Sequence, residues 1–255
     1  MKKTAILLGV AAFITFTSCE RLHVTTLTID GAVIYYETDA KIKNGYAVFL
    51  VAKADIEYYD RNAIPEITPP PPDTAADIPQ MVLPSFLTPQ RDAQIIVNNT
   101  TIKEEYAGQY QGELNINPGD SVFLNVYTQD GDTGMAKMVM PGAFNLDLGD
   151  TVIEHDSLSS LEISWSRSEN ANAYMVLLYS VDTATQEVTL DIKTTTEDTT
   201  YTITQDKLSP GTYLLQVSSI YGRINASMPQ AGTLVGILGQ VATLYVKKPV
   251  LIEVR

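Results

Sequence analysis

Cysteine is nearly missing: Cys19 is the only one in 255 residues. A lone thiol rules out a disulfide within the chain, so a buried apolar core must hold it together. Histidine is almost as scarce, with His23 and His155 alone, and neither stands at metal-ligand spacing. The serines lack the glycine frame of a nucleophile elbow, and no glycine-rich phosphate loop occurs. These gaps point away from an enzyme and give no reason to expect a metal or a cofactor. Basic residues are also short: 17 Lys and Arg stand against 30 Asp and Glu, a net charge of −13. Such a surface repels phosphate backbones, which excludes nucleic acid as a partner, and it does not attract anionic headgroups. Helical periodicity sustained beyond about ten residues is absent. So is a clean late apolar run. Leu234 to Val246 is interrupted by Gly236, Gly239 and Gln240, short of the roughly 20 residues a spanning helix needs.

What is present begins at the N-terminus. Lys2 and Lys3 precede the short apolar run Ala5 to Ile14, then Phe16-Thr17-Ser18-Cys19. Charge, short apolar core and small residues make a secretory signal peptide over residues 1–18. With cysteine directly after Ser18, this stretch resembles the lipobox of bacterial lipoprotein precursors, with Phe16 where that family favours leucine. The resemblance implies cleavage between Ser18 and Cys19. It also implies diacylglycerol on the Cys19 thiol, an acyl chain such as palmitate on the new amine, and a short lipidated N-terminus at 19–21. Cleavage removes Lys2 and Lys3 and takes the formal charge to −15. Attachment then rests on the lipid, since two or three chains at about 0.8 kcal/mol per buried methylene anchor permanently. Glu20 differs from the aspartate of inner-membrane retention, which favours the outer membrane.

The remainder reads as β-strands. Leu22 to Ile29 ends at Asp30-Gly31, a hairpin-type signal, and Ala32 to Glu37 and Tyr46 to Ala52 follow. Prolines then crowd residues 64–89, removing backbone donors and fixing φ. That stretch is either a stiff linker or a long insertion in one sandwich. Residues 22–59 alone are too few for a stable domain without disulfides, so insertion is the better expectation. Strands resume at Gln94 to Val97, Tyr106 to Leu114, Ser121 to Thr128 and Met135 to Met140. Asn117 to Asp120 and Gln129 to Asp132 supply turns between them. Asp130 and Asp132 could converge on calcium, but hairpin turns use the same residues and further oxygen ligands are lacking. Turn rhythm here resembles Ig-like repeats of bacterial surface proteins, and the first domain is set at 22–145.

A second domain is expected at 150–255. Leu161 to Ser166 is a strand holding Trp165, the chain's one tryptophan, and Asn172 to Tyr179, Thr200 to Thr204 and Leu208 to Val217 follow. Leu208-Ser209-Pro210-Gly211-Thr212-Tyr213 and the Trp165 strand together resemble a fibronectin type III domain. The resemblance implies Trp165 as the core aromatic and Tyr213 as the corner residue, five positions after Leu208 where the family usually has six. The fold class is all-β, two tandem sandwiches. Leu234 to Val246 is expected to close the second as a final strand or hairpin.

Two surface features remain. The adjacent pairs Tyr35-Tyr36 and Tyr58-Tyr59 would put one ring of each outward in a strand, the usual platform for sugars, although strand tyrosines also serve packing. An Asp-Ser/Thr pair followed by an aliphatic residue or Thr occurs at Thr74, Ser121, Thr151, Ser157, Thr183 and Thr199, where composition would give about one or two. The pattern resembles the O-glycosylation sequon of exported Bacteroidota proteins, while Asp-Ser/Thr also starts turns. The leading expectation is a non-enzymatic, lipid-anchored envelope protein that presents sandwich modules to a protein partner. The alternative is a carbohydrate-binding lipoprotein of a glycan-uptake system.

Overall fold

The computed structural model describes residues 25–37, 45–55, 87–148, 152–185, 187–224, 228 and 230–255. The architecture is all-β. In the first half lie β1 (Thr25–Tyr36), β2 (Gly45–Asp55), β3 (Leu87–Pro89), β4 (Gln94–Val97), β5 (Thr100–Tyr106), β6 (Gln109–Leu114), β7 (Ser121–Tyr127) and β8 (Thr133–Val139). β1, β2 and β6 are antiparallel neighbours, and so are β5, β4, β7 and β8. β5 joins the groups, because Thr100 to Ile102 pair with β4 while Lys103 to Tyr106 pair with β6. The sheet thus folds over on itself. Alternation along each strand then packs Phe49, Val51 and Tyr110 from one layer with Val97, Leu124 and Met138 from the other.

Asp30-Gly31 is not a turn. β1 runs unbroken through both residues and pairs with β2 from Thr25 to Tyr35. The glycine serves close approach instead: a Cβ on Gly31 would lie 2.2 Å from the Val48 carbonyl oxygen and 2.5 Å from the Phe49 ring. The stretch read as one strand from Tyr106 to Leu114 is also two pieces, since Tyr106 ends β5 and a turn through Gly108, φ 73°, leads into β6.

The second half holds β9 (Ile153–His155), β10 (Leu161–Ser164), β11 (Ala173–Val181), β12 (Val188–Thr196), β13 (Thr200–Ile203), β14 (Gly211–Gly222), β15 (Thr233–Val235), β16 (Val241–Val246) and β17 (Val250–Val254). The two-stranded β10–β13 sheet covers β12, β11, β14 and β17, around Trp165, Tyr174, Leu178, Val217 and Ile252. This strand order is that of an Ig-like or fibronectin type III-like sandwich.

The two sandwiches are joined through the segment between β14 and β17. The first part of β14 pairs with β17, while Ser218 to Gly222 pair with β16. β16 in turn pairs with β1 in parallel, and β15 pairs with β8. The apolar stretch 234–246 is therefore no hairpin: β15 lies at the sheet's end beside β8, while β16 is held between β14 and β1. One continuous 15-stranded sheet results, passing through the β16–β1 pair. Gly239 permits the approach: its φ is 127°, and a Cβ there would meet the Ile29 carbonyl oxygen at 2.2 Å. On the opposite face of β11, β14, β16 and β1, Leu177, Ile220, Leu244 and Ile34 are buried in a third apolar cluster.

Candidate interaction surface

Several residues nominated by the sequence lie outside the described residues: Ser18 and Cys19, Thr74, Thr151, His23 and the Tyr58-Tyr59 pair. Trp165 is buried and packs on Tyr174, with ring centroids 5.3 Å apart. The Tyr213 hydroxyl donates to the Ser209 carbonyl and accepts the Ser209 N–H, both at 3.0 Å. A tyrosine corner is thereby closed with five-residue spacing from Leu208. Both residues serve the core and leave no reactive group in solvent.

Asp130 and Asp132 do sit together, in the β7–β8 turn, but a cation from the protein already lies between them. Lys53 on β2 reaches the Asp130 carboxylate at 2.6 Å and that of Asp132 at 2.9 Å. Those two hydrogen bonds raise the Lys53 pKa. His155 Nε2 lies 3.0 Å from the Ser159 carbonyl oxygen, a local contact in a turn. Among the described residues no group of three or more His, Cys, Asp or Glu could hold a metal ion. No described helix is long and apolar enough to cross a membrane.

The Tyr35-Tyr36 pair is turned inward on both sides. Tyr35 stacks on Tyr245 at 5.3 Å with planes 14° apart, and Tyr36 packs edge-on against Tyr46. Burial, with the neighbouring Tyr179 and Tyr46 hydroxyls, pushes the Tyr36 pKa above the tyrosine range. At the seam between the sandwiches the Tyr245 hydroxyl donates to Glu37, whose carboxylate also takes the Lys247 ammonium at 2.9 Å. Burial first, and then the bond to Glu37, raise the Tyr245 pKa as well. This cluster ties the end of β1 to the end of β16.

Aromatic side chains reach solvent elsewhere. β7 alternates buried Val122, Leu124 and Val126 with outward Phe123, Asn125 and Tyr127. Across the sheet Phe123 stands opposite Lys137 and Asn125 opposite Met135, and Met135 faces Val235 on β15. Phe123, Tyr127, Met135 and Val235 are each about half exposed. The Lys137 ammonium lies over the Phe123 ring, 5.7 Å from its centroid. Beside that ring, toward β4, is an open depression of about 360 Å³ lined by Asn98, Asn99, Ser121, Phe123 and Asn125. Asn98 and Asn99 form the β4–β5 turn with φ of 45° and 68°, values asparagine tolerates better than most residues. The Asn98 side chain fixes the turn against β7, accepting the Phe123 N–H and donating to the Ser121 carbonyl, both at 2.8 Å.

No protein-family model matches the chain, and no curated protein sequence does. Among solved structures, the fibronectin(III)-like modules of Clostridium thermocellum CbhA align over 88% of this chain and 95% of that one, at 9% identity and a TM-score of 0.23. The FN1–FN3 domains of chicken CNTN1 align over 81% of this chain and 62% of that one, at 11% identity and a TM-score of 0.23. Likenesses at that level carry no argument about function, and the architecture rests on the strand pairing itself.

A second surface was not nominated by the sequence. β12 is an end strand of the large sheet, joined to β11 alone among the described strands. Val188 and Leu190 project from it at alternate positions, 40% and 43% exposed. Register against β11 slips between Leu178 and Tyr179, leaving Asp191 as the extra residue of a bulge. The signal for this strand was its β-branched content, Val188, Ile192 and four threonines, without the clean alternation that marks β7.

Proposed function

We propose that this chain is a non-enzymatic lipoprotein, anchored through lipid on Cys19 in the cell envelope at the outer membrane, whose joined sandwiches are presented to a protein partner. The modules are residues 22–145 and 150–255, with β15 and β16 lent by the second to the first. The observation that carries the partner is the open edge of β12. A strand edge offers unpaired backbone N–H and C=O groups to an extended segment, and alternate side chains select among segments. Val188 and Leu190 are the apolar pair placed to do so. The bulge at Asp191 limits the addition to a short strand. Support for the lipid comes from the order of charge, apolar run and Cys19, on a chain whose acidity gives a membrane surface nothing else to hold.

The test is affinity capture from detergent-solubilised envelopes with the wild type and Leu190→Lys. A partner retained by the wild type and lost with Leu190→Lys supports the edge. Equal capture by both removes it. In parallel, Cys19→Ala should move the protein from the membrane pellet to the soluble fraction, and continued sedimentation would overturn the anchor.

A second reading, a carbohydrate-binding lipoprotein of a glycan-uptake system, is favoured by one observation. Phe123 and Tyr127 stand on the same face of one strand with Asn125 between them, all reaching solvent.

A further inference from the structure

The geometry points to the depression beside Phe123 as a binding site for a neutral saccharide, with the glycan chain continuing along β7 toward Tyr127. This rests on the second reading and gives it a location.

The lining decides the ligand class. Phe123 supplies an aromatic wall, Asn98, Asn99 and Asn125 supply amides, and Ser121 a hydroxyl. Amides and hydroxyls both donate and accept, which matches the paired donor and acceptor character of sugar hydroxyls. Among the described residues no carboxylate, lysine or arginine lines the depression, on a chain with a net charge of −13. The neighbouring cation, Lys137, is engaged with the Phe123 ring and is not among the lining residues, so a phosphate, sulfate or sialic acid would lack a partner within the depression and the ligand is uncharged. The apolar component is a single ring, too little to anchor a peptide side chain by burial but suited to the C–H face of a pyranose.

The platform is built rather than loose. Lys137 covers the Phe123 ring from the β8 side, and the depression opens on the β4 side. The Asn98 side chain is held by two hydrogen bonds to β7, which fixes that wall. Tyr127 lies four residues along the same face, about 13 Å away at a strand rise near 3.3 Å per residue. Asn125 sits between the two rings, and Gln94 is the partner of Tyr127 on β4. One sugar in the depression and later sugars over Asn125 and Tyr127 describe a linear oligosaccharide lying along the strand.

The experiment uses the chain from Cys19 onward, with serine at that position to keep it soluble. Binding is measured by titration against linear neutral hexasaccharides of glucose, mannose and galactose, with sialylated and sulfated oligosaccharides alongside. The wild type should bind at least one neutral hexasaccharide and none of the charged ones. Phe123→Ala and Asn125→Ala should each weaken that binding about tenfold or more, the equivalent of losing one stacking or hydrogen-bonding partner. Tyr106→Ala, an exposed aromatic on β5 outside the depression, should leave it unchanged. Circular dichroism melts control for folding, and both β7 changes are at solvent-facing positions. If a neutral sugar binds and Phe123→Ala and Asn125→Ala leave its affinity intact, the site is wrong while the second reading stands. If only a charged sugar binds, the site is wrong while the second reading stands, and if no sugar binds at millimolar concentration, both fall.

Discussion

Gly31 of β1 lies so close to Phe49 of β2 that an added methyl carbon would stand 2.5 Å from the ring and 2.2 Å from the preceding Val48 carbonyl oxygen. Phe49 is fully buried at the centre of the first core, so neither group has room to retreat. Gly31→Ala should therefore cost about 2–4 kcal/mol, through forced backbone shifts and overpacking. A urea unfolding curve would show it as a lower midpoint with an unchanged slope. A midpoint equal to that of the wild type would mean the two strands can separate at no cost.

The same pair explains what the sequence could and could not disclose. Asp-Gly is a strong local turn signal, and it was outweighed by contacts from a distant part of the chain. The Asp30 carboxylate accepts the Gln240 N–H at 2.7 Å, across 210 positions. Local pattern cannot carry that distance. β7 was legible because β8 follows it within a hairpin, and Val122, Leu124 and Val126 write the buried face directly into the sequence. The outward face of β7 was written there too, in Phe123, Asn125 and Tyr127. What was missing was that no other layer among the described residues covers those side chains. Tyr35 and Tyr36 failed as a platform for the converse reason, since Tyr245 of β16 and Tyr46 of β2 pack against them.

Tyr110 gives the first core a dependence on alkaline pH. Its hydroxyl accepts the Ala93 N–H at 2.8 Å and donates to the Gln90 carbonyl at 2.9 Å. Burial pushes its pKa up to about 12, and the carboxylates of Glu104 and Asp92 add to the rise. An unfolded tyrosine titrates near pH 10, so between those values the folded chain holds a proton that the unfolded chain releases. The stabilisation is complete below about pH 10 and is lost as pH rises through about 12. Urea midpoints measured across that window should fall for the wild type. Tyr110→Phe should start lower, by about 1–2 kcal/mol for the lost hydrogen bonds, and fall less steeply. Tyr179, also pushed up to about 12 by burial, keeps a residual fall in that variant.

Gln216 is an error of satisfaction in the middle of β14. It is 1% exposed, opposite Leu177, and among the described residues neither its amide nitrogen nor its amide oxygen has a hydrogen-bond partner. Burying two such atoms without partners opposes folding. Gln216→Met keeps the length of the side chain and removes both atoms, so it should raise stability by about 1–3 kcal/mol. Differential scanning calorimetry would register a higher Tm. A lower one would show that the amide has a role on that face.

Four of the six Asp-Ser/Thr motifs fall on described residues, and their hydroxyls stand at strand starts or in turns. Ser121 opens β7, while Ser157, Thr183 and Thr199 lie in turns or bends between strands. Two of the aspartates account for the turns: Asp156 accepts the Leu158 N–H at 2.9 Å, and Asp182 accepts the Ala184 N–H at 2.8 Å. The Ala184 N–H, and after it the Thr185 hydroxyl and N–H, lower the Asp182 pKa. The aspartate thus fixes the turn and leaves the following hydroxyl outside any strand, with Thr183 exposed. A glycosyltransferase needs an acceptor held in such an accessible loop. If the motif is read by one, protein isolated from its own envelope should exceed the mass of polypeptide plus lipid. Thr183→Ala should then remove one glycan and leave the fold unchanged. An intact mass equal to polypeptide plus lipid would leave the aspartates with the turns alone.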